Sequence, residues 1–191
     1  MDTVKAAGLK LYAGGVISMS SDAAIRQAFE YAKAAGMQRI VVTLPPQMLA
    51  AVNAKVQQYD LAVCIHNHGP EDKTWPTPMS IYEKIRDLDP RVGLCMDIGH
   101  TVRAGADPSE TALRCADRLF DLHMKDVSAA TIQGHGVVVG RGVIDIPKLL
   151  KTLVAIHYTG VVSFEHEEDP RDPLPGLAES VGYVKGVLAA M

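Results

Sequence analysis

Apolar residues along the chain fall into short continuous runs, separated by stretches in which they recur every three or four positions. The continuous Val/Ile/Leu runs predict strands buried on both faces, as in a parallel sheet. The wider spacing predicts amphipathic helices. The first run is Leu9 to Met19. Ser21 and Asp22 then cap a helix with Ile25, Phe29 and Ala32 on its apolar face and Gly36 at its end. A second strand, Arg39 to Leu44, is stopped by Pro45 and Pro46. Met48, Leu49, Val52 and Val56 mark the next helix, and Leu61 to His66 the third strand. Thr77-Pro78 starts a helix with Ile81, Ile85 and Leu88 inward. Val92 to Asp97 is the fourth strand. Asp107-Pro108-Ser109-Glu110 combines an N-cap, a proline at the first helical position and a capping-box acid. Leu119 to Lys125 is the fifth strand. A Gly-rich stretch precedes Pro147 and a helix through Ile156. Val161 to Glu165 is the sixth strand, and the last helix carries Leu177, Val181, Val184 and Leu188.

Six strands alternating with helices at about 30 residues per unit have the size of βαβ repeats. An open doubly wound sheet carries GxGxxG after its first strand; Ala13-Gly14-Gly15 does not supply it. A (β/α)₈ barrel places its chemistry at the C-terminal ends of many strands, but needs eight units and typically about 250 residues. The 191 residues predict an α/β fold, an incomplete TIM barrel of about six β/α units, forming a single domain over 1–191.

Bulk properties narrow the partners. A net charge of −3 carries no basic footprint, so neither nucleic acid nor an anionic membrane is expected. No apolar stretch reaches the length of a membrane span, and the first 15 positions lack a signal-peptide core. Cys64, Cys95 and Cys115 form neither a CxxC motif nor an even set, so no disulfide framework or thiolate zinc site is indicated. A cytoplasmic setting fits, unless a signal once preceded Met1.

The chemistry concentrates at strand ends. His66, Asp97, His123 and Glu165 each close a different apolar run, and parallel strands in a barrel point those ends at one mouth. For any one position a hydrogen-bonded rim histidine or a helix-capping aspartate is the plainer reading. Four together favour one divalent metal, with Mn, Co, Zn, Fe and Mg as candidates, because two imidazoles and two carboxylates do not suit Ca²⁺. His68 shares a face with His66 and is a ligand, a substrate contact or a loop histidine. His100 follows Asp97 by three and can bind substrate or shuttle a proton. Lys125 shares a face with His123 and can stabilise an oxyanion, or pair with Asp126 in solvent. Arg141 in the Gly-rich loop can reach a polyol; a surface turn is the default, as for His135. Glu167 belongs to the charged run EHEEDPRD, read as a solvated loop. His157 is structural. Trp75 is a lid residue or, by default, loop packing.

These residues stand in segments that resemble the xylose-isomerase-like superfamily, the sugar isomerases and epimerases related to tagatose 3-epimerase and endonuclease IV. The segments are IHNHGPED, GLCMDIGHTVRAGADP, DLHMKDV, VGRGVIDIPKLLKTL and the C-terminal GVVSFEHEEDPRDPLPGLAESVGYVKGVL. The resemblance implies a TIM barrel with a divalent metal at its mouth, held by two glutamates, an aspartate and a histidine, with the glutamates moving protons. Asp97, His123 and Glu165 match three ligands and His100 a substrate-contacting histidine. Where relatives read ENHG, this chain reads His66-Asn67-His68-Gly69. A metal-bound imidazole lacks the free lone pair of a carboxylate base, which speaks against transfer between two glutamates.

The expected function is therefore a metal-dependent isomerase or epimerase of a sugar or sugar derivative, with Glu165 as base and His68, His100 or Lys125 as its partner acid. One alternative is a lyase or hydratase acting on 3-keto sugars or glycosides. Another is a non-catalytic binding or scaffold protein. DNA repair is disfavoured by the acidic balance and by too few ligands for further metals. The resemblance begins near the third strand of the family barrel, which leaves two strand edges unpaired. Such edges invite pairing with another chain, so a homo-oligomer covering them is expected.

Overall fold

The six apolar runs assemble into one curled sheet. The computed structural model of the protein describes residues 2–191; Met1 lies outside them. A short helix α1 (Asp2–Ala6) leads to β1 (Ala13–Ser18), α2 (Asp22–Ala34), β2 (Arg39–Thr43), α3 (Leu49–Tyr59), β3 (Ala62–His66), α4 (Pro78–Ile85) and β4 (Val92–Asp97). Two short helices, α5 (Ile98–Arg103) and α6 (Pro108–Arg114), precede β5 (Leu119–Met124). A small antiparallel pair, β6 (Asp126–Val127) and β7 (Gly136–Val137), comes before α7 (Ile146–Ala155), β8 (Val161–Phe164) and α8 (Leu174–Ala189). The sheet order is β1-β2-β3-β4-β5-β8, and every neighbouring pair is parallel. It is a half-barrel of the TIM type. Among the described residues no helix is long and apolar enough to cross a membrane.

Alternation along each strand sorts residues between two environments. Ile40, Val42, Val63, Ile65, Leu94, Met96 and Leu122 join Phe29, Val52, Ile81 and Leu149 of the helices in the main core. The opposite face carries a thinner layer in which Val41, Cys64 and Cys95 pack together, and His66 and Asp97 follow the two cysteines by two positions. All of β4 is buried, whereas every residue of the edge strand β8 is only half-buried.

The helix starts form as their sequences predict. Ser21 accepts from the Ala24 N–H, Thr77 and Ser80 cap each other, and Asp107 accepts from the Ser109 and Glu110 N–H groups. Two features differ. The first strand is shorter than its apolar run, because the chain leaves α1 through Gly8 at φ +69° and Leu9 stays 66% exposed. The second is α5, absent from the sequence reading. The Asp97 side chain accepts from the His100 N–H and turns the end of β4 directly into a helix.

Trp75 does not form a lid. It is fully buried, and its indole N–H donates to the Leu44 carbonyl at 2.7 Å. Its own carbonyl accepts from the His68 N–H at 3.0 Å. One side chain thus fastens the loop after β3, which carries His68, to the end of β2. Replacing Trp75 with Phe keeps most of the packing but orphans a carbonyl, and should cost about 1–3 kcal/mol. Trp75→Ala should cost about 3–5 kcal/mol. Urea unfolding followed by circular dichroism checks both; equal stability of Trp75→Phe and wild type would remove the hydrogen bond from the account.

Candidate metal centre

The sheet brings His66, Asp97, His123 and Glu165 to one point. Asp97 and His123 are direct neighbours in the β4–β5 register, and His66 lies beside Cys95 on the other side of β4. The His66 Nε2 atom is 3.1 Å from His123 Nδ1, 3.6 Å from Glu165 Oε2 and 3.8 Å from Asp97 Oδ2. His123 Nδ1 also hydrogen-bonds to Glu165 Oε2. One ligand atom from each of the four lies within 4.8 Å of all the others. His66 and Asp97 are fully enclosed, while Glu165 is 28% exposed and faces the opening.

The convergence is tuned by its neighbours. Burial lowers the pKa of His66 and raises that of Asp97. Burial is the largest influence on His123 and Glu165 and opposes charge on both, but their mutual hydrogen bond together with the surrounding opposite charges and, for Glu165, a hydrogen bond from His66 outweighs it, raising the imidazole and holding the carboxyl far below its usual range. Lys125 is the third party. Its side chain is 3% exposed, and its Nζ lies 3.1 Å from Glu165, 3.5 Å from Asp97 and 3.0 Å from Glu167. Burial would discharge this lysine; the three carboxylates prevail and raise its pKa. Gly99 makes room for it, since a Cβ there would lie 2.8 Å from Lys125 Cγ.

Two residues refine the sequence reading. Lys125 is enclosed among these carboxylates rather than solvated beside Asp126, whose carboxylate instead accepts from the N–H groups of Gly140, Gly142 and Ile144 in the Gly-rich loop. Glu167 is part of this network although 56% exposed. Arg141 is the one predicted substrate contact placed elsewhere. Its guanidinium makes two hydrogen bonds to Glu179 on α8, at 2.6 and 2.7 Å, with the side chain 65% exposed. His135 bonds to Ser128, and His157 ends α7 with φ +53°. His68 packs edge-on against the His66 ring, 4.6 Å between centroids, and sits 3.3 Å from Asp72. His100 is close as well, its Nε2 4.0 Å from Asp97 Oδ2. Burial, with help from Lys125 and Arg103, pushes its pKa down to about 4. It is therefore neutral near pH 7, which suits hydrogen bonding better than proton shuttling.

Asn67 and Asp121 escaped the sequence reading. Asn67 is fully buried; its amide accepts from the Asp97 N–H and donates to the Asp97 carbonyl, tying β3 to β4 at ligand height. Asp121, two residues before His123, is buried with its pKa raised by burial, and its Oδ2 has no hydrogen-bond partner. It lines a cavity of about 390 Å³ between β1 and β8, together with Gly14, Gly15, Ser163, His123 and Glu165. The period-two rule that groups Lys125 with His123 also groups Asp121 with it.

A divalent cation fits this donor set. Asp97 Oδ2, which faces His66 Nε2, is buried without a hydrogen-bond partner, and buried polar atoms are rarely left so. Two imidazole nitrogens and two carboxylate oxygens suit a transition metal. Asp97 serves two ends at once, with Oδ1 capping α5 and Oδ2 left for the site.

The chain is similar to two known proteins over part of its length. It is 32% identical to the rhizopine catabolism protein MocC of Rhizobium meliloti over 108 residues, 49% of this chain and 33% of that protein. It is 34% identical to the inosose dehydratase of Geobacillus kaustophilus over 94 residues, 41% of this chain and 30% of the enzyme. The matches thus span about a third of these relatives. In three dimensions it resembles the IolI protein, solved with a bound zinc atom, at a TM-score of 0.80 and 18% identity, covering 99% of this chain and 80% of that one. The family model for the xylose isomerase-like TIM barrel matches residues 20–187, and the chain belongs to that family.

Proposed function

We propose that this protein is a metal-dependent enzyme acting on a small keto-sugar or keto-polyol, abstracting the proton beside the carbonyl and eliminating water. One observation carries the reading. Glu165 places Oε2 among the candidate ligands and Oε1 3.1 Å from the Lys125 ammonium, so a base and an acid stand side by side. His66, Asp97, His123 and Glu165 would hold the metal, which supplies electrophilic polarisation of a substrate oxygen. Glu165 takes the proton from carbon. The bond from the adjacent carbon to its hydroxyl breaks, and the hydroxyl leaves as water with a proton from Lys125. The proton on Glu165 then returns to Lys125 across the 3.1 Å contact, which restores both groups. The match to an inosose dehydratase supports this chemistry, and the zinc of the IolI structure supports the metal.

Epimerisation or isomerisation is the second reading, favoured by Glu167. Lys125 bridges Glu165 and Glu167, which puts a second carboxylate on the rim although His66 occupies the position of the family's first glutamate.

Three measurements test these readings. Protein purified without chelator should carry near-stoichiometric Zn, Mn, Co or Fe, lost in Asp97→Ala. Wild type that stays empty and takes up no added metal would end the metal reading. Incubation with a keto-inositol and with 3-keto-glucosides should give a product lighter by one water, and Glu165→Gln should lower turnover by about 10²–10⁴-fold. A product of unchanged mass that gains deuterium from D₂O would select the second reading. An unaffected Glu165→Gln enzyme would sink both, and a fully loaded protein inert to the whole panel would favour a binding or scaffold role. The half-exposed β8 and the open side of β1 should be covered by a second copy. Light scattering on a sizing column should then give a dimer or larger; a stable monomer would refute it.

A further inference from the structure

Arg103 is absorbed by none of these steps, yet it is only 13% exposed. Its guanidinium ties three segments at the mouth. It pairs with Glu71 in the loop after β3, donates to the Ile132 carbonyl beyond β6 at 2.9 Å, and lies 3.2 Å from Nδ1 of His100 on its own helix α5. A guanidinium has five N–H donors and no acceptor. The histidine nitrogen facing it must therefore accept. In a neutral imidazole the hydrogen bond made by one ring nitrogen decides the state of the other, so the proton of His100 sits on Nε2. That nitrogen points to the candidate ligands, 4.0 Å from Asp97 Oδ2, beyond hydrogen-bond range. Gly69 closes the arrangement from above. It holds φ +85°, and a Cβ there would lie 3.1 Å from His100 Nδ1.

We infer that Arg103 is a positioning residue which locks His100 as an Nε2–H donor aimed at a substrate oxygen, a carbonyl or hydroxyl of the keto-polyol. This rests on the reading of the site as one for an oxygen-rich substrate, but its test needs no substrate. In that state His100 cannot serve as a base through Nε2, and its work is to orient and polarise. The ion pair to Glu71 fixes the guanidinium, so the loop after β3 sets the tautomer of a residue on the next βα unit.

The ring nitrogens of ¹⁵N-labelled protein distinguish the tautomers directly by NMR, with His100→Gln assigning the signals. Metal-free and zinc-supplemented wild type near pH 7.5 should both show a bare Nδ1 and a protonated Nε2 on His100. Arg103→Met should give a tautomer mixture or a switch, and Arg103→Lys, which keeps a donor, should recover the wild-type pattern. On any substrate found, Arg103→Met should lower kcat/KM about 10- to 100-fold with metal content unchanged. A proton on Nδ1 in wild type overturns the inference without any variant, and so does an unaltered tautomer in folded Arg103→Met. Either result leaves the assignment of Glu165 standing. Failure of Glu165→Gln to slow turnover would strike that assignment and leave the tautomer measurement intact.

Discussion

Lone pairs that meet in a buried space repel unless a positive charge sits among them, and this governs the mouth of the half-barrel. Parallel strands all end on the same side, so a sheet that curls must crowd the residues at those ends. Here the crowd is two imidazoles and two carboxylates, with His66 and Asp97 excluded from water. An isolated buried carboxylate is costly, and the structure answers with Lys125, enclosed among Asp97, Glu165 and Glu167. Much of the local build serves that ammonium and its partners. Gly99 has no side chain so that the lysine stem can pass, and Asn67 grips the Asp97 backbone from the neighbouring strand. The proton that His66, His123 and Glu165 can share is a poorer solution than a cation with several coordination positions, which is the physical case for a metal.

The parts of this site readable in the sequence share one property: each reports on itself. An apolar run ending in His, Asp or Glu shows both the strand and the direction of its end, and the chain order of such runs is the sheet order. The Ser21, Thr77 and Asp107 caps are equally local. Residues whose role depends on which loops meet were not readable. Glu167 lies in a run of charge that looks solvated, and only the turn after β8 brings it to Lys125. Arg141 sits in a Gly-rich loop that looked able to reach the mouth, but Asp126 folds that loop down through three backbone N–H groups and leaves Arg141 to Glu179. Loop packing is the default reading of Trp75 and the structure bears it out, but its anchor, the Leu44 carbonyl just past β2, lies 31 residues away and is not legible in the loop itself. Arg103 reads as an ordinary charge near a helix end, although its three contacts lie in segments up to 32 residues away.

The open side of the sheet follows from strand count. A barrel interior fills because strands from all sides contribute side chains. Among the described residues no strand closes the space between β1 and β8, and the cavity there reaches His123 and Glu165 from the side. Asp121 marks how unfinished that wall is, since its Oδ2 is buried without a donor. A hydroxyl, an ammonium or a backbone N–H placed in the gap would relieve it. The open edge is thus also a second approach to the same site, and the proposed second copy over β1 and β8 would shape the pocket as well as the fold.

His66 has an electrostatic consequence beyond ligation. A glutamate in its place would make the donor set one unit more negative. With an imidazole, a divalent cation is left less neutralised, and every nearby oxygen feels a stronger field, because charges interact strongly where water is excluded. That would favour an oxyanion forming on a bound carbonyl over a second carboxylate base. Under the proposed function, the single exchange of charge for neutrality would shift the balance of the site from two bases sharing a proton to one base facing a set of donors. On that proposal Lys125, His100 and a bound cation stand on the side of the donors, and Glu165 combines a candidate ligand atom with a proton-accepting one. An elimination needs this division of labour, with one group to take a proton from carbon and several to hold the developing negative charge until the hydroxyl leaves.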